Sequence, residues 1–306
     1  MRILAFTVAI SIVLSTFIEN FVIRYLWVIV NPLRIPSTIV RIQNELNRGS
    51  YSGLAGEQAQ AALIMNVGIA IKFAIPFSGG RLRKRDFFEL VLYFVALILS
   101  GKRMLFVIPV LVGAAALLFS KMRHKFTKAV WLLLGLAAVL GVTYFFVPQM
   151  AIMYKRLIGN ASSKYYDPLS GRGELWKYSI QMFQERPLLG YGFGSYNAYA
   201  YDLGDLRDGQ RWNYFAQNCY LQLLGETGLV GTALFTGMLV YALAITVKGF
   251  QRSTSTQGKY YLMFSFYLQL MFFVYCLSGN VLYYKEQVFL WFIAIAMSFN
   301  VERLQI

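Results

Sequence analysis

SGRGELWKYSIQMFQERPLLGYGFGSY at 170–196 and QNCYLQLLGETGLVG at 217–231 lie between long apolar stretches, and the fold depends on what those stretches are. Their apolar residues run continuously and not in 3.6-residue stripes, near 3–18, 59–77, 87–100, 104–119, 129–148, 228–247, 260–278 and 288–299. Several runs approach the ~20 residues that a helix needs to cross a bilayer. The shorter ones reach that length if flanking polar side chains snorkel or the helix gains a turn. The 306 residues are 58% hydrophobic and 14% charged, against ~25% charged in a soluble domain. The expectation is an all-α integral membrane protein of about eight transmembrane helices. Residues 1–148 would carry about five of them, 149–219 one large extracytoplasmic loop holding the substrate, and 220–306 about three.

The formal charge of +15 falls mostly in three short connections: RLRKR at 81–85, KMRHKFTK at 121–128, and Lys248, Arg252 and Lys259. With eight spans all three share one face, which the positive-inside rule makes cytoplasmic. Both termini are then cytoplasmic, and 31–58, 101–103, 149–219 and 279–287 face outward. The long loop itself carries eight Lys or Arg against six Asp or Glu, as suits a segment that does not set topology. Because the basic residues act as topology determinants, nucleic acid is not an expected partner. The first segment has the basic start and apolar core of a signal peptide, but no A-x-A-like site follows and apolar character resumes through FVIRYLWVIV. Glu19, Asn20 and Arg24 interrupt it, either near an outer end or facing a protein interior. Cys219 and Cys276 both fall toward the oxidising side, so a disulfide is permitted, with packed free thiols the default. No Cys/His spacing suggests a metal site, and no internal repeat is visible.

Within the long loop, ELWKYSIQMFQ has a partly helical apolar pattern that ends before Pro187. Gly190, Gly192 and Gly194 follow, permitting backbone conformations other residues resist and close approach of a ligand. They are not a dinucleotide fingerprint, which needs a preceding strand and a following helix. Arg172 is the first candidate for chemistry, because a guanidinium clamps a diphosphate bidentately and stays charged at any relevant pH; a salt bridge to Glu174 is its structural alternative. Arg103, in the SGKR turn, would lie at a membrane surface, where it suits a lipid diphosphate or a headgroup. Glu226, at the start of a span, is an ionisable group near a membrane boundary and a functional suspect on that ground, or else the partner of a loop Arg. Glu174 reads as a solvated charge at a helix start. Ten tyrosines between Tyr154 and Tyr220, Tyr191 and Tyr196 among them, support sugar rings or form an interfacial belt. His124, the single histidine, lies on the cytoplasmic side, away from this loop.

Together with YSGLAGEQAQAALIM at 51–65 and LILSGKRMLF at 97–106, the two opening stretches resemble the O-antigen polymerase and O-antigen ligase superfamily of bacterial cell-envelope enzymes, over roughly residues 50–300. The resemblance implies a multi-pass protein of the bacterial cytoplasmic membrane. It implies transfer of a glycan from a polyprenyl-diphosphate-linked oligosaccharide at the outer face, with no nucleotide sugar, metal or other cofactor. The diphosphate-binding role would pass to Arg172 and Arg103, with Glu226 or Glu174 orienting or deprotonating the attacking hydroxyl. Arg211, Tyr191, Tyr196, Gln217 and Asn218 would contact substrate. The ligase branch commonly has His-Asn where this chain has Gln217-Asn218, and Gln is no base. That favours a polymerase of O-antigen, capsule or exopolysaccharide repeat units over a ligase acting on lipid A-core. Membrane lipids, a chain-length regulator and a flippase are the partners it implies. A transporter or flippase of lipid-linked sugars is the rival of another class, and it predicts paired halves that this chain lacks. Family members usually carry further spans before the first segment seen here, so a short member, a fragment and a misassigned start all stay open.

Overall fold

The computed structural model describes residues 1–120 except 34 and 48, residues 172–202 and 215–304, and the isolated helical positions 127, 130, 134, 137 and 141. Every regular element among the described residues is a helix. The chain divides into two compact units: 1–164 with 254–264, and 165–253 with 265–306. In the first lie α1 (Arg2–Phe17), α2 (Phe21–Tyr25), α3 (Trp27–Val30), α4 (Pro36–Asn47), α5 (Gln58–Phe77), α6 (Lys84–Leu99) and α7 (Arg103–Phe119). In the second lie α8 (Arg172–Glu185), α9 (Tyr196–Asp202) and α10 (Cys219–Arg252). The next helix, α11 (Thr256–Tyr275), passes from the first unit to the second after Phe264, and α12 (Lys285–Leu304) completes the second.

In the first unit α1, α5 and α6 pack through small side chains, which let helix backbones approach closely. Ala5, Ala9, Ala61, Ala62, Ala70 and Ala74 are fully buried. A Cβ on Gly68 would lie 2.9 Å from the Tyr93 ring and 3.0 Å from Ala5 Cβ. The same three helices share a buried ion cluster. Lys72 Nζ lies 2.5 Å from Asp86 Oδ1 and 2.8 Å from Glu89 Oε2. Arg2 reaches both oxygens of Glu89, at 2.9 and 2.6 Å, and Arg85 adds a contact at 3.0 Å. These cations hold the Glu89 carboxyl down at about 2, against burial, with Arg2 the largest cause.

The expectation of about eight spans, and with it a multi-pass protein with both termini cytoplasmic, is corrected here. Among the described residues two helices, α5 and α10, are long and apolar enough to cross a membrane, and Arg2–Phe17 and Met104–Phe119 are shorter apolar helices. The reason is physical. A continuous apolar run is written the same way for a span and for a helix packed inside protein. At 1.5 Å per residue α1 and α6, 16 residues each, fall short of the ~30 Å hydrocarbon thickness. The run at 87–100 belongs to α6, which carries the buried Glu89. The run at 260–278 belongs to α11, whose Ser265 and Gln269 tie into a buried knot with Thr246 and Ser298. Most of the run at 129–148 lies outside the described residues, as do Arg211 and His124. The sidedness read from loop charge rested on the eight-span count and falls with it.

Candidate functional site

Both opening motifs belong to the second unit, where they interlock. At Gly228 the long helix α10 breaks, with φ 62° and ψ −165°. In an unbroken helix the N–H groups of Leu229 and Val230 would return to the carbonyls of Gly225 and Glu226. Here they donate instead to Pro187 (2.8 Å) and Leu188 (3.2 Å), while Gly225 and Glu226 accept from Tyr191 (3.3 Å) and Gly192 (2.7 Å). Residues 187–192 are thus inserted into the helix ladder, and two intrahelical bonds become four bonds to the loop. Only glycines allow so close a contact. A Cβ on Gly190 would lie 2.5 Å from Glu226 C and O, and one on Gly228 would overlap Leu188 C and O, with φ positive at both positions. PLLG and GETG are therefore two halves of one joint.

Glu226 fastens the rest of the loop to this joint. Its side chain is fully buried. Oε2 accepts from Gly194 N–H (2.8 Å) and from the Tyr283 hydroxyl, and Oε1 from Tyr196 N–H (3.2 Å) and Gln222 Nε2 (2.9 Å). Four donors occupy the four acceptor directions of the carboxylate. Tyr283 in turn stacks on Phe193 at 5.3 Å and 5°, and lies 5.1 Å from the Phe215 ring.

Gln222 Oε1 accepts from Ala216 N–H at 3.1 Å, and Ala216 C=O accepts the indole N–H of Trp176 at 3.0 Å. Ala216 is therefore pinned on both sides. Immediately after it, Gln217 is left-handed at φ 55°, a conformation shared among described non-glycine residues only by Asn20. Asn218 then caps α10, its Oδ1 accepting from Tyr220 and Leu221 N–H at 3.0 and 3.1 Å. A left-handed Gln costs about 1–2 kcal/mol, and such residues persist where neighbours over-determine them, often at functional sites. Arg172 lies four residues before Trp176 on α8, on the same helix face. The Trp176–Ala216 bond thus brings the Arg172 face of α8 to the backbone beside Gln217. No described residue forms an ion pair with Arg172, and Glu174 is exposed and bound by Lys177 at 2.7 Å.

Residues 88–236 match a family model described as O-antigen ligase. That match links residues 88–236 to O-antigen ligase and polymerase biology at the level of the family. The match is shorter than the 50–300 range of the resemblance and leaves YSGLAGEQAQAALIM outside. It spans Arg103, Arg172, both halves of the glycine joint, Gln217 and Glu226. No curated protein matches the chain.

Arg103 is the first residue of α7, in the other unit from Arg172. Tyr196 is buried in a small core with Met182 and Ala216, its hydroxyl donating to Leu175 C=O at 2.7 Å. Tyr191 is half-buried and donates to Glu185. Cys219 and Cys276 are buried free thiols; Cys219 N–H donates to Cys276 C=O at 2.8 Å and its Sγ to Gly279 C=O at 3.2 Å. Sequence reading missed Trp176, Glu185, Gln222 and Tyr283. The spacing of Trp176 from Arg172 was available as a signal, whereas Tyr283 stands 57 residues from Glu226 in a separate connection.

Proposed function

We propose that the chain is a glycosyltransferase that polymerises oligosaccharide repeat units carried on polyprenyl diphosphate into O-antigen, capsular polysaccharide or exopolysaccharide. The observation that carries this reading is the Trp176–Ala216 hydrogen bond at 3.0 Å, which relates the helix face of Arg172 to the left-handed backbone of Gln217. In the reaction a hydroxyl of the acceptor unit attacks the anomeric carbon of the donor glycan. The bond from that carbon to the diphosphate oxygen breaks, its electron pair leaves with the diphosphate, and the hydroxyl proton passes to the diphosphate or to water. Arg172 stabilises the charge that builds on the departing oxygen through charge-assisted hydrogen bonds. Gln217 orients the attacking hydroxyl without removing its proton. Glu226 is a positioning residue that acts through Gly194, Tyr196 and Tyr283. Arg103 and Arg211 are further proposed diphosphate ligands on the strength of the resemblance alone.

The description of the matched family favours a second reading, a ligase that moves a finished glycan to lipid A-core. Gln217 in the place of the ligase branch's His weighs against it. Glycan ladders separate the two, in cells lacking the gene and complemented with wild type, Arg172→Ala or Arg172→Lys at matched levels. Single repeat units on the final acceptor without longer chains, in both variants, are the expected result. Polymer accumulating on the polyprenyl carrier would make the chain a ligase, and a wild-type ladder in every strain would remove the glycan-assembly reading.

A further inference from the structure

At the far end of α8 stands a group of side chains to which the proposed transfer step assigns no role. Glu185, the last residue of α8, is exposed. The Tyr199 hydroxyl donates to its Oε1 at 2.7 Å and the Tyr191 hydroxyl to its Oε2. The two rings meet edge to face at 5.1 Å, and the Arg186 guanidinium lies 4.4 Å over Tyr191. Hydrogen bonds to an exposed charge add little to stability, while fixing three side chains costs rotamer entropy. What the arrangement does achieve is a carboxylate held in one orientation at the surface, with one acceptor direction on each oxygen that no described residue takes. Two residues after Tyr191, Phe193 is 65% exposed with its ring stacked on Tyr283, and no atom of a described residue lies within 4 Å of a Cβ built on Gly192 or Gly194.

We propose that Glu185, Tyr191 and Tyr199, with Phe193 two residues along the chain from Tyr191, form a carbohydrate subsite. A pyranose offers what this surface lacks: hydroxyl donors around its rim for the fixed carboxylate and phenol oxygens, and C–H faces for flat aromatic rings. A phosphate would meet the carboxylate's negative charge. A metal ion is disfavoured because the phenols stay protonated: burial, then Glu185, pushes Tyr199 up to about 12, and Glu185 raises Tyr191. Along α8 the subsite lies about 20 Å from Arg172, thirteen steps of 1.5 Å. It therefore holds sugars remote from the reacting bond, and it rests on the transferase reading above.

Binding and transfer test the two separately on the full chain in detergent. The probe is the oligosaccharide released by mild acid from the polyprenyl-diphosphate pool of the same cells, which carries no diphosphate. Glu185→Gln and Tyr199→Phe should each weaken its binding about tenfold, the loss of one hydrogen bond to a charged group, and shorten the ladder in complemented cells. Arg172→Ala should bind the probe as wild type does yet fail to elongate. Wild-type probe affinity in both Glu185→Gln and Tyr199→Phe overturns the subsite whatever Arg172→Ala does. A wild-type ladder in Arg172→Ala overturns the transferase reading whatever the probe does. Tyr199→Phe removes a single hydroxyl at a partly exposed ring, so a misfolded Glu185→Gln would leave the test intact.

Discussion

Gly228→Ala puts the interlocked joint under direct strain. At φ 62° and ψ −165° the residue sits where essentially only glycine is found, a conformation that costs about 1–3 kcal/mol for any other residue. The new methyl would also overlap Leu188 C and O, so residues 187–192 must move off the helix. The bonds nearest that overlap, Leu229 N–H to Pro187 C=O and Val230 N–H to Leu188 C=O, are each worth about 0.5–1.5 kcal/mol net. Together the cost is about 2–6 kcal/mol, a large part of the ~5–15 kcal/mol that holds a typical domain. Gly237→Ala is the control, since it lies in the same helix with no described atom within 4 Å of its Cβ and should gain up to ~1 kcal/mol in helix propensity. Hydrogen exchange read by mass spectrometry on peptides covering 186–196 and 225–231 measures the local opening. At ~1.4 kcal/mol per tenfold, protection of Tyr191 and Gly192 should fall about thirtyfold or more in Gly228→Ala and hold in Gly237→Ala. Equal protection in the two variants would refute the insertion of the loop into the helix.

Gln217→Gly should relieve the left-handed backbone and raise the thermal midpoint, by about 1 kcal/mol of stability, while glycan elongation is lost; a variant that elongates normally would leave the Gln217 side chain without a role. Glu89 is held at about 2 against an ordinary 4.5, so its contribution is complete above pH 4.5 and is lost as pH falls toward 2. Thermal unfolding should therefore lose about 3 kcal/mol across that window, and Glu89→Gln should flatten the dependence; an unchanged slope in the variant would assign the acid sensitivity elsewhere.

Parts of this structure were legible in the residues themselves. The helix before Pro187 was readable from its apolar pattern, because α8 (Arg172–Glu185) follows local rules of periodicity and interruption. The two glycine motifs could be recognised as belonging together, but not how. Their joint pairs residues 187–192 with 225–230, and nothing local to either stretch announces a partner so far along the chain. The count of spans failed for a related reason. Lys72, Glu89, Ser265 and Gln269 stand as polar residues within apolar runs, and what makes them tolerable is pairing across helices: Lys72 with Asp86 and Glu89, Gln269 with Thr246, Ser265 with Ser298. Composition weighs such a residue as a single cost, whereas the fold satisfies it with a neighbour from another run.

The surroundings of Glu226 bear on what any mechanism can ask of it. A buried carboxylate is costly unless it is paired or fully hydrogen-bonded, and the donors to this one are two backbone N–H groups, an amide and a phenol. To take a proton from an acceptor hydroxyl it would have to give up one of these bonds and open to substrate. Held as it is, it sets the position of three things at once: the Gly194–Tyr196 backbone, the Tyr283 ring that backs Phe193, and, through Gln222, the Ala216 peptide that precedes Gln217. The aromatic surface at one end of the loop and the strained amide at the other thus hang from a single side chain. In the proposed transfer a diphosphate leaving group carries its own acceptor for the released proton, so the role left to the residues that Glu226 holds is orientation, with the charge assigned to Arg172.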